Sequence, residues 1–257
     1  MSDTHTGAAQ DGPKRGAIPT PRSTLAAAMP YLPEGEAALA AIPIPRRRPP
    51  NFIRIPKQIS MWGNYYDGDC VTAEEAFAKA CHAPEVFVPD NIVTAWASAH
   101  GVLNGANIHQ VMVWMQTGGF VESGHTYDDG SILSVNWTSA GILDQAIWEG
   151  PVKIGVAADQ LAATWRAHGG TVNDGKSGWV ATGYTPDNNE DHCVSLCGYG
   201  TMAWLAAELH TQLPANVNGA NPGYALFTWD SIGIIDPPSL NAITHEAWLR
   251  NPTTVVH

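Results

Sequence analysis

The stretch from Asp191 to Cys197, Asp-His-Cys-Val-Ser-Leu-Cys, sets a histidine directly beside one cysteine and five positions before another. Imidazole and thiolate are common ligands of zinc, and the same two groups form the base and nucleophile of thiol hydrolases. Spacing separates the two uses. The stretch reads as a strand, with His192, Val194 and Leu196 on one face and Cys193, Ser195 and Cys197 on the other. Cys193 and Cys197 would then stand roughly 13 Å apart, too far for a disulfide or one tetrahedral metal site. The other two cysteines, Cys70 and Cys81, fall about 16 Å apart on one expected helix and cannot bridge either. Reduced thiols are expected, with no metal and no cofactor. His125, His210 and His245 lack ligand spacing and read as surface or core histidines.

A catalytic use of His192 requires a nucleophile elsewhere in the chain. Cys70 has the right setting: it follows Gly68 and Asp69 at a turn and begins a helix. There, unpaired backbone N–H groups and the positive end of the dipole favour a thiolate. From local features alone the alternative stands beside it, with Cys70 a packed core thiol and His192 a satisfied core histidine.

The elements that must position these residues are legible in outline. Residues 1 to about 50 carry prolines at 13, 19, 21, 30, 33, 43, 45, 49 and 50 and read as an extended arm with short helical pieces, "STLAAAM" and "EGEAALAAI". The triplet Arg46-Arg47-Arg48 reads as solvated linker. Cys70, Ala73, Phe77, Ala80 and Cys81 recur at helical spacing, with Glu74, Glu75 and Lys79 largely off that stripe. "NIVTAWASAHGV" and "NIHQVMVWMQTGG" read as two further helices split by the turn "LNGAN". "SAGILDQAIWEG" reads as a helix, while "PVKIGVAA", "HCVSLCGYG" and "GYALFTWDSI" read as strands. A mainly helical lobe (about 60–135) is thus followed by a mainly β lobe (about 136–257), with an inserted helix at about 201–213.

Five motifs in order resemble the papain-like cysteine peptidases over about residues 50 to 257. "GNYYDGDC" is similar to that family's segment with an oxyanion-hole glutamine six residues before the nucleophile. It sets Asn64 in the glutamine's place and Cys70 in the nucleophile's. "LNGANIHQ" resembles the Asn-Gly-Gly turn whose backbone binds substrate, so Gly105 and Ala106 match the two glycines. "EGPVKIGVAAD" resembles the Gly-Pro-Val strand. "DHCVSLCGYG" resembles the strand holding the general base, which falls on His192, with Asp191 and Cys193 as substrate-binding neighbours. "WDSIG" resembles Lys-Asn-Ser-Trp-Gly and sets Asp230 where the histidine-orienting asparagine stands. The resemblance implies an α+β, two-lobe papain-like fold: a helical N-terminal lobe, an antiparallel β-barrel-like C-terminal lobe and a cleft between them.

It also implies a mechanism: thiolate attack by Cys70, proton transfer by His192, oxyanion stabilisation by Asn64 and the Cys70 N–H, and orientation of the imidazole by Asp230. Several residues depart from the pattern. Asn64 is a methylene short, Asp230 is charged, Val71 and Ile232 stand where the family has tryptophans, and Ala106 adds a methyl group. Two readings from different classes follow. One is a thiol-dependent hydrolase of peptide bonds; the other is a catalytically silent fold serving a larger assembly through its arm and inserted helix. Related acyl chemistry, such as small-amide hydrolysis or transamidation, would use the same pair. Cys193 beside the specificity pocket suggests a modest-sized apolar substrate residue.

Composition limits the partners. The 257 residues include ten tryptophans and carry a formal charge of −11, which disfavours nucleic acid and anionic lipid. No apolar run is long enough to span a bilayer, so no membrane partner is expected. The first 30 residues lack a secretory pattern, so a cytoplasmic location is expected, with export by another route left open, and the Asn136-Trp137-Thr138 sequon reads as chance.

Overall fold

The computed structural model describes residues 13–32, 52–170 and 176–257. The Arg46-Arg47-Arg48 triplet and the "EGEAALAAI" piece lie outside the described residues. In chain order the arm holds β1 (Ala17–Ile18) and α1 (Arg22–Ala27). The first half of the body holds α2 (Cys70–Ala80), α3 (Asp90–Ala99), β2 (Ala106–Asn107), α4 (Ile108–Met115), β3 (Phe120–Glu122), β4 (His125–Asp128) and β5 (Ser131–Ser134). Next come α5 (Ala140–Glu149), β6 (Val152–Val156), α6 (Asp159–Ala167), β7 (Val180–Ala181), β8 (His192–Thr201) and α7 (Met202–Glu208). The chain finishes with β9 (Pro222–Thr228), β10 (Ser231–Ile235), α8 (Pro237–Ile243), β11 (Thr244–Asn251) and β12 (Val255–Val256).

Seven strands form one sheet in the order β5-β11-β6-β8-β9-β10-β7, antiparallel except where β10 meets β7. The fold is α+β, as the resemblance implies, but no pairing joins β5 to β7. The barrel-like expectation is corrected to an open sheet. The reason lies in coverage of both faces. All five residues of β6 and the first seven of β8 are buried, which a sheet with packed layers on each side requires.

On one face α2 packs against β8, within a core that includes Trp62, Phe77, Met112, Cys193, Cys197 and Phe227. Phe77 of α2 stacks on Phe227 of β9 with ring centroids 3.9 Å apart. On the other face, α5 and α8 pack over Val194, Leu196 and Leu226, and Leu161 and Trp165 of α6 join the same core. The alternation read for β8 therefore holds: Cys193 and Cys197 enter one core, Val194 and Leu196 the other. α7 begins at the Thr201 cap, whose side chain accepts from Trp204 N, and buries Met202, Leu205 and Ala206 against the sheet. It ends at Glu208, shorter than the expected 201–213.

The helical stripe read on α2 understates its burial, because all eleven of its residues are buried. Glu74, Glu75 and Lys79 are inside because α2 lies between the rest of the helical lobe and the sheet. Their partners come from distant segments: Lys153 and Arg250 both pair with Glu75, and Lys79 pairs with Asp129. Lys153 also donates to the Val71 carbonyl, which ties β6 to the first turn of α2 (2.9 Å).

Candidate active site

Cys70 opens α2, is 1% exposed and belongs to the core between α2 and the sheet. Its sulfur faces two backbone N–H groups, those of Cys193 and Gly16. The first places the sulfur against β8 at the His192–Cys193 peptide. The second comes from the arm. Burial pushes the Cys70 thiol up to about 12, despite those two donors, so the sulfur keeps its proton.

His192 is also buried, and its imidazole is held from two sides. Nε2 and Thr228 Oγ1 share a hydrogen bond of 2.8 Å, and the ring stacks on Trp229 at 4.5 Å and 20°. Nδ1 is buried without a hydrogen-bond partner among the described residues. Burial, with the Arg15 charge adding to it, pushes the imidazole down to about 3, so it is neutral. Thr228 and Trp229 thus hold the positions expected of Asp230 and Ile232. The cause is a two-residue hairpin turn: Trp229 and Asp230 have φ of 45° and 57°, and Thr228 pairs with Ser231 across it. The expected single strand "GYALFTWDSI" is therefore two strands, and Thr228, the last residue of β9, meets the histidine of the neighbouring strand. The sequence carries no glycine or asparagine at 229 or 230 to announce that turn.

Asn64 is buried, but its amide donates to the Asp67 carbonyl at 3.2 Å. It closes its own loop instead of offering its N–H to a carbonyl over Cys70, which fits the missing methylene. Asp69, directly before Cys70, is pushed up to about 8 by burial and by the Asp67 charge. Any charge it carries pushes the Cys70 thiol further up.

The arm crosses here between the helical lobe and the sheet. Gly16 O accepts from Ala106 N at 2.7 Å, Ala17 N donates to Asp191 O at 3.1 Å, and Lys14 N donates to Asn64 O at 2.9 Å. β1 runs parallel to β2, with Ala17 opposite Ala106. Arg15 Nη1 reaches Asp159 at 2.5 Å and Asp191 at 2.7 Å, while the other Asp191 oxygen accepts from Ala158 N. Thr20 N donates to Glu246, whose other oxygen accepts from Trp248 Nε1. Ala106 and Asp191, two of the residues matched to substrate binding, thus hold an extended peptide by its backbone. Gly105, with φ of 133°, and Cys193 line the same crossing. Sequence reasoning missed Arg15, Gly16, Asp159 and Thr228; the arm's composition gives no sign of where it docks.

No family model matches the chain, and no curated protein sequence matches it. Solved structures do. Xylellain, a cysteine protease from Xylella fastidiosa, is similar over 95% of this chain and 97% of its own, at 12% identity and TM-score 0.59. Procathepsin L2 from Tenebrio molitor larval midgut is similar over 90% of this chain and 76% of its own, at 15% identity and TM-score 0.52. The Carica candamarcensis cysteine protease CMS1MS2 is similar over 78% of this chain and 96% of its own, at 12% identity and TM-score 0.52. With its sheet order, its cleft and these likenesses together, the chain has the papain-like cysteine protease fold, in a form far diverged in sequence.

Proposed function

We propose that the chain is a thiol-dependent hydrolase of peptide bonds, with Cys70 as nucleophile and His192 as base, whose cleft is closed by its own arm. The observation that carries this reading is the peptide lying over Cys70, hydrogen-bonded through its backbone to Ala106 and Asp191. A groove that holds an extended chain across a helix-terminal thiol is suited to presenting a carbonyl to it.

With the arm in place both reactive groups are neutral because both are buried. Departure of Arg15 and Gly16 removes a nearby cation from His192 and lets water reach both groups. Each pKa then moves toward its ordinary value, and proton transfer from Cys70 to Nδ1 of His192 becomes accessible. Nδ1 is suited to this role, since Nε2 is occupied by Thr228 and Trp229 covers one ring face. The thiolate adds to the substrate carbonyl, the Cys70 N–H stabilises the oxyanion, and the imidazolium protonates the leaving amine. Water, deprotonated by the same imidazole, then releases the acyl group. Peptide or protein is the substrate class carried over from the protease neighbours.

A second reading, a silent fold that binds partners through its arm and α7, is favoured by the Asn64 amide, which is turned to Asp67. A peptidyl chloromethylketone decides between the two, with adduct position read by mass spectrometry. Hydrolase chemistry predicts slow labelling of the parent and fast labelling at Cys70 once the arm is expelled by Gly16→Val. Labelling is then abolished by a further Cys70→Ala and slowed by a further His192→Ala. If Cys70 of the opened protein reacts no faster than Cys81 or Cys193, the hydrolase reading fails.

A further inference from the structure

Three glycines meet where the arm crosses the nucleophile. A Cβ on Gly16 would stand 1.7 Å from the Gly68 carbonyl oxygen and 2.6 Å from its carbon. On the facing walls, a Cβ on Gly68 would come within 3.1 Å of Arg15 O, and one on Gly105 within 3.0 Å of Gly16 O. Since the obstructing atoms at residue 16 are backbone, no rotamer change relieves the clash. The peptide above Cys70 therefore passes through a slot with no space for a side chain.

The neighbours of Gly16 are read by different chemistry. The Arg15 guanidinium lies between the carboxylates of Asp159, on α6, and Asp191, at the foot of β8. Asp191 is itself fixed by Ala158 N, so this acceptor is in place before a peptide arrives. Ala17, on the other side, is 7% exposed and belongs to the core that holds Ala106 and Cys193, whereas the following Ile18 is 53% exposed. Selection therefore ends within three residues: a cation, no side chain, then a small apolar group.

We propose that the cleft is a recognition site for extended peptides carrying an Arg-Gly-small tripeptide in the arm's orientation, with glycine obligatory at the centre. The arm is the intramolecular copy of that ligand, and a peptide in trans competes for the same hydrogen bonds from Ala106 and to Asp191. This inference rests on the cleft being the peptide site proposed above, but its test reads binding and not turnover.

Calorimetry with Gly16→Val protein and a synthetic peptide of residues 13–20 provides the test. The parent peptide binds. The same peptide with alanine replacing its glycine binds at least about tenfold more weakly, as an overpacked site requires, and replacing its arginine by glutamate also weakens binding. Arg15→Glu protein, whose own arm is loosened by charge repulsion, serves as a second host should Gly16→Val not fold. If the glycine and alanine peptides bind within about twofold of each other in either host, or the parent peptide binds neither, the inference is overturned. Binding that survives in a protein inert toward chloromethylketone leaves the recognition site standing and removes only the hydrolase.

Discussion

Two buried polar regions meet at α2, and they treat charge in opposite ways. Cys70, its first residue, and His192, at the start of the strand packed against it, are neutral, because burial pushes the thiol up to about 12 and the imidazole down to about 3. One turn further along, charge persists in equal burial. Although burial opposes it, Arg250 and Lys153 hold Glu75 down to about 2, and both cations donate to its carboxylate. The difference is the supply of partners. Glu75 meets two donors, whereas among the described residues the charge that acts on His192 is that of Arg15, of the wrong sign to favour imidazolium. A thiol and an imidazole covered by the arm are thus kept neutral by dehydration, while the Glu75 carboxylate is kept charged by its contacts with two cations.

Removing a partner from the charged region produces the largest expected effect. Glu75→Ala leaves Lys153 and Arg250 buried without their carboxylate and is expected to lower stability by about 3 to 5 kcal/mol, read from the urea midpoint. A loss below about 1 kcal/mol would mean the cluster is hydrated and the contrast with the cleft is false.

The neutral region answers to pH. Because folding depresses the His192 pKa from 6.5 to about 3, the unfolded chain binds a proton that the folded one refuses throughout that window. This site's contribution is therefore present above about 6.5 and declines as pH falls toward 3, by about 1.4 kcal/mol per pH unit within the window. For Cys70 the folded pKa is raised from 9.0 to about 12. Its contribution is present below 9 and declines as pH rises toward 12. Urea unfolding across pH, compared with His192→Asn on the acid side and Cys70→Ala on the alkaline side, checks both limbs. An unchanged acid slope in His192→Asn would show that the imidazole is charged in the covered cleft.

Smaller changes sharpen the comparison inside the cleft. Thr228→Val removes the hydroxyl that shares a hydrogen bond with Nε2, for about 1 kcal/mol of stability. In the opened Gly16→Val background it is expected to slow Cys70 labelling and shift its pH profile, by freeing the imidazole to rotate. The smallest stability effect is expected from Arg15→Ala, under about 1 kcal/mol, because Asp159 is largely exposed and water screens that pair. Its chemical effect is easier to read, with Cys70 alkylation rising by up to about fivefold as the arm lifts more often. An alkylation rate unchanged by Arg15→Ala would show that the arm's backbone hydrogen bonds suffice to hold it.

Legibility followed the range of the interaction. Cys70 at a helix start, the pair α3 and α4, and the two faces of β8 were all readable, because helical and strand periods repeat within a few residues. The ordered motifs carried the fold as well, though with a barrel where the sheet stays open. Asp230 was expected at the histidine and Thr228 is found there, because a turn with two positive φ values formed with a tryptophan in its first central place. Glu74 and Glu75 were set off the apolar stripe of α2 and are buried, since the charged partners of Glu75 lie 78 and 175 positions away.

The amino-acid sequence by itself determined the order of elements and the face that the residues of β8 take, and it singled out a thiol at a helix start and a histidine at a strand start. Tertiary structure alone decided which hydroxyl holds the imidazole, that residues 14–17 lie over the thiol, and that both reactive groups are therefore neutral. The physical reason is that periodicity is local, whereas a pKa depends on water, charge and donors delivered from any distance along the chain.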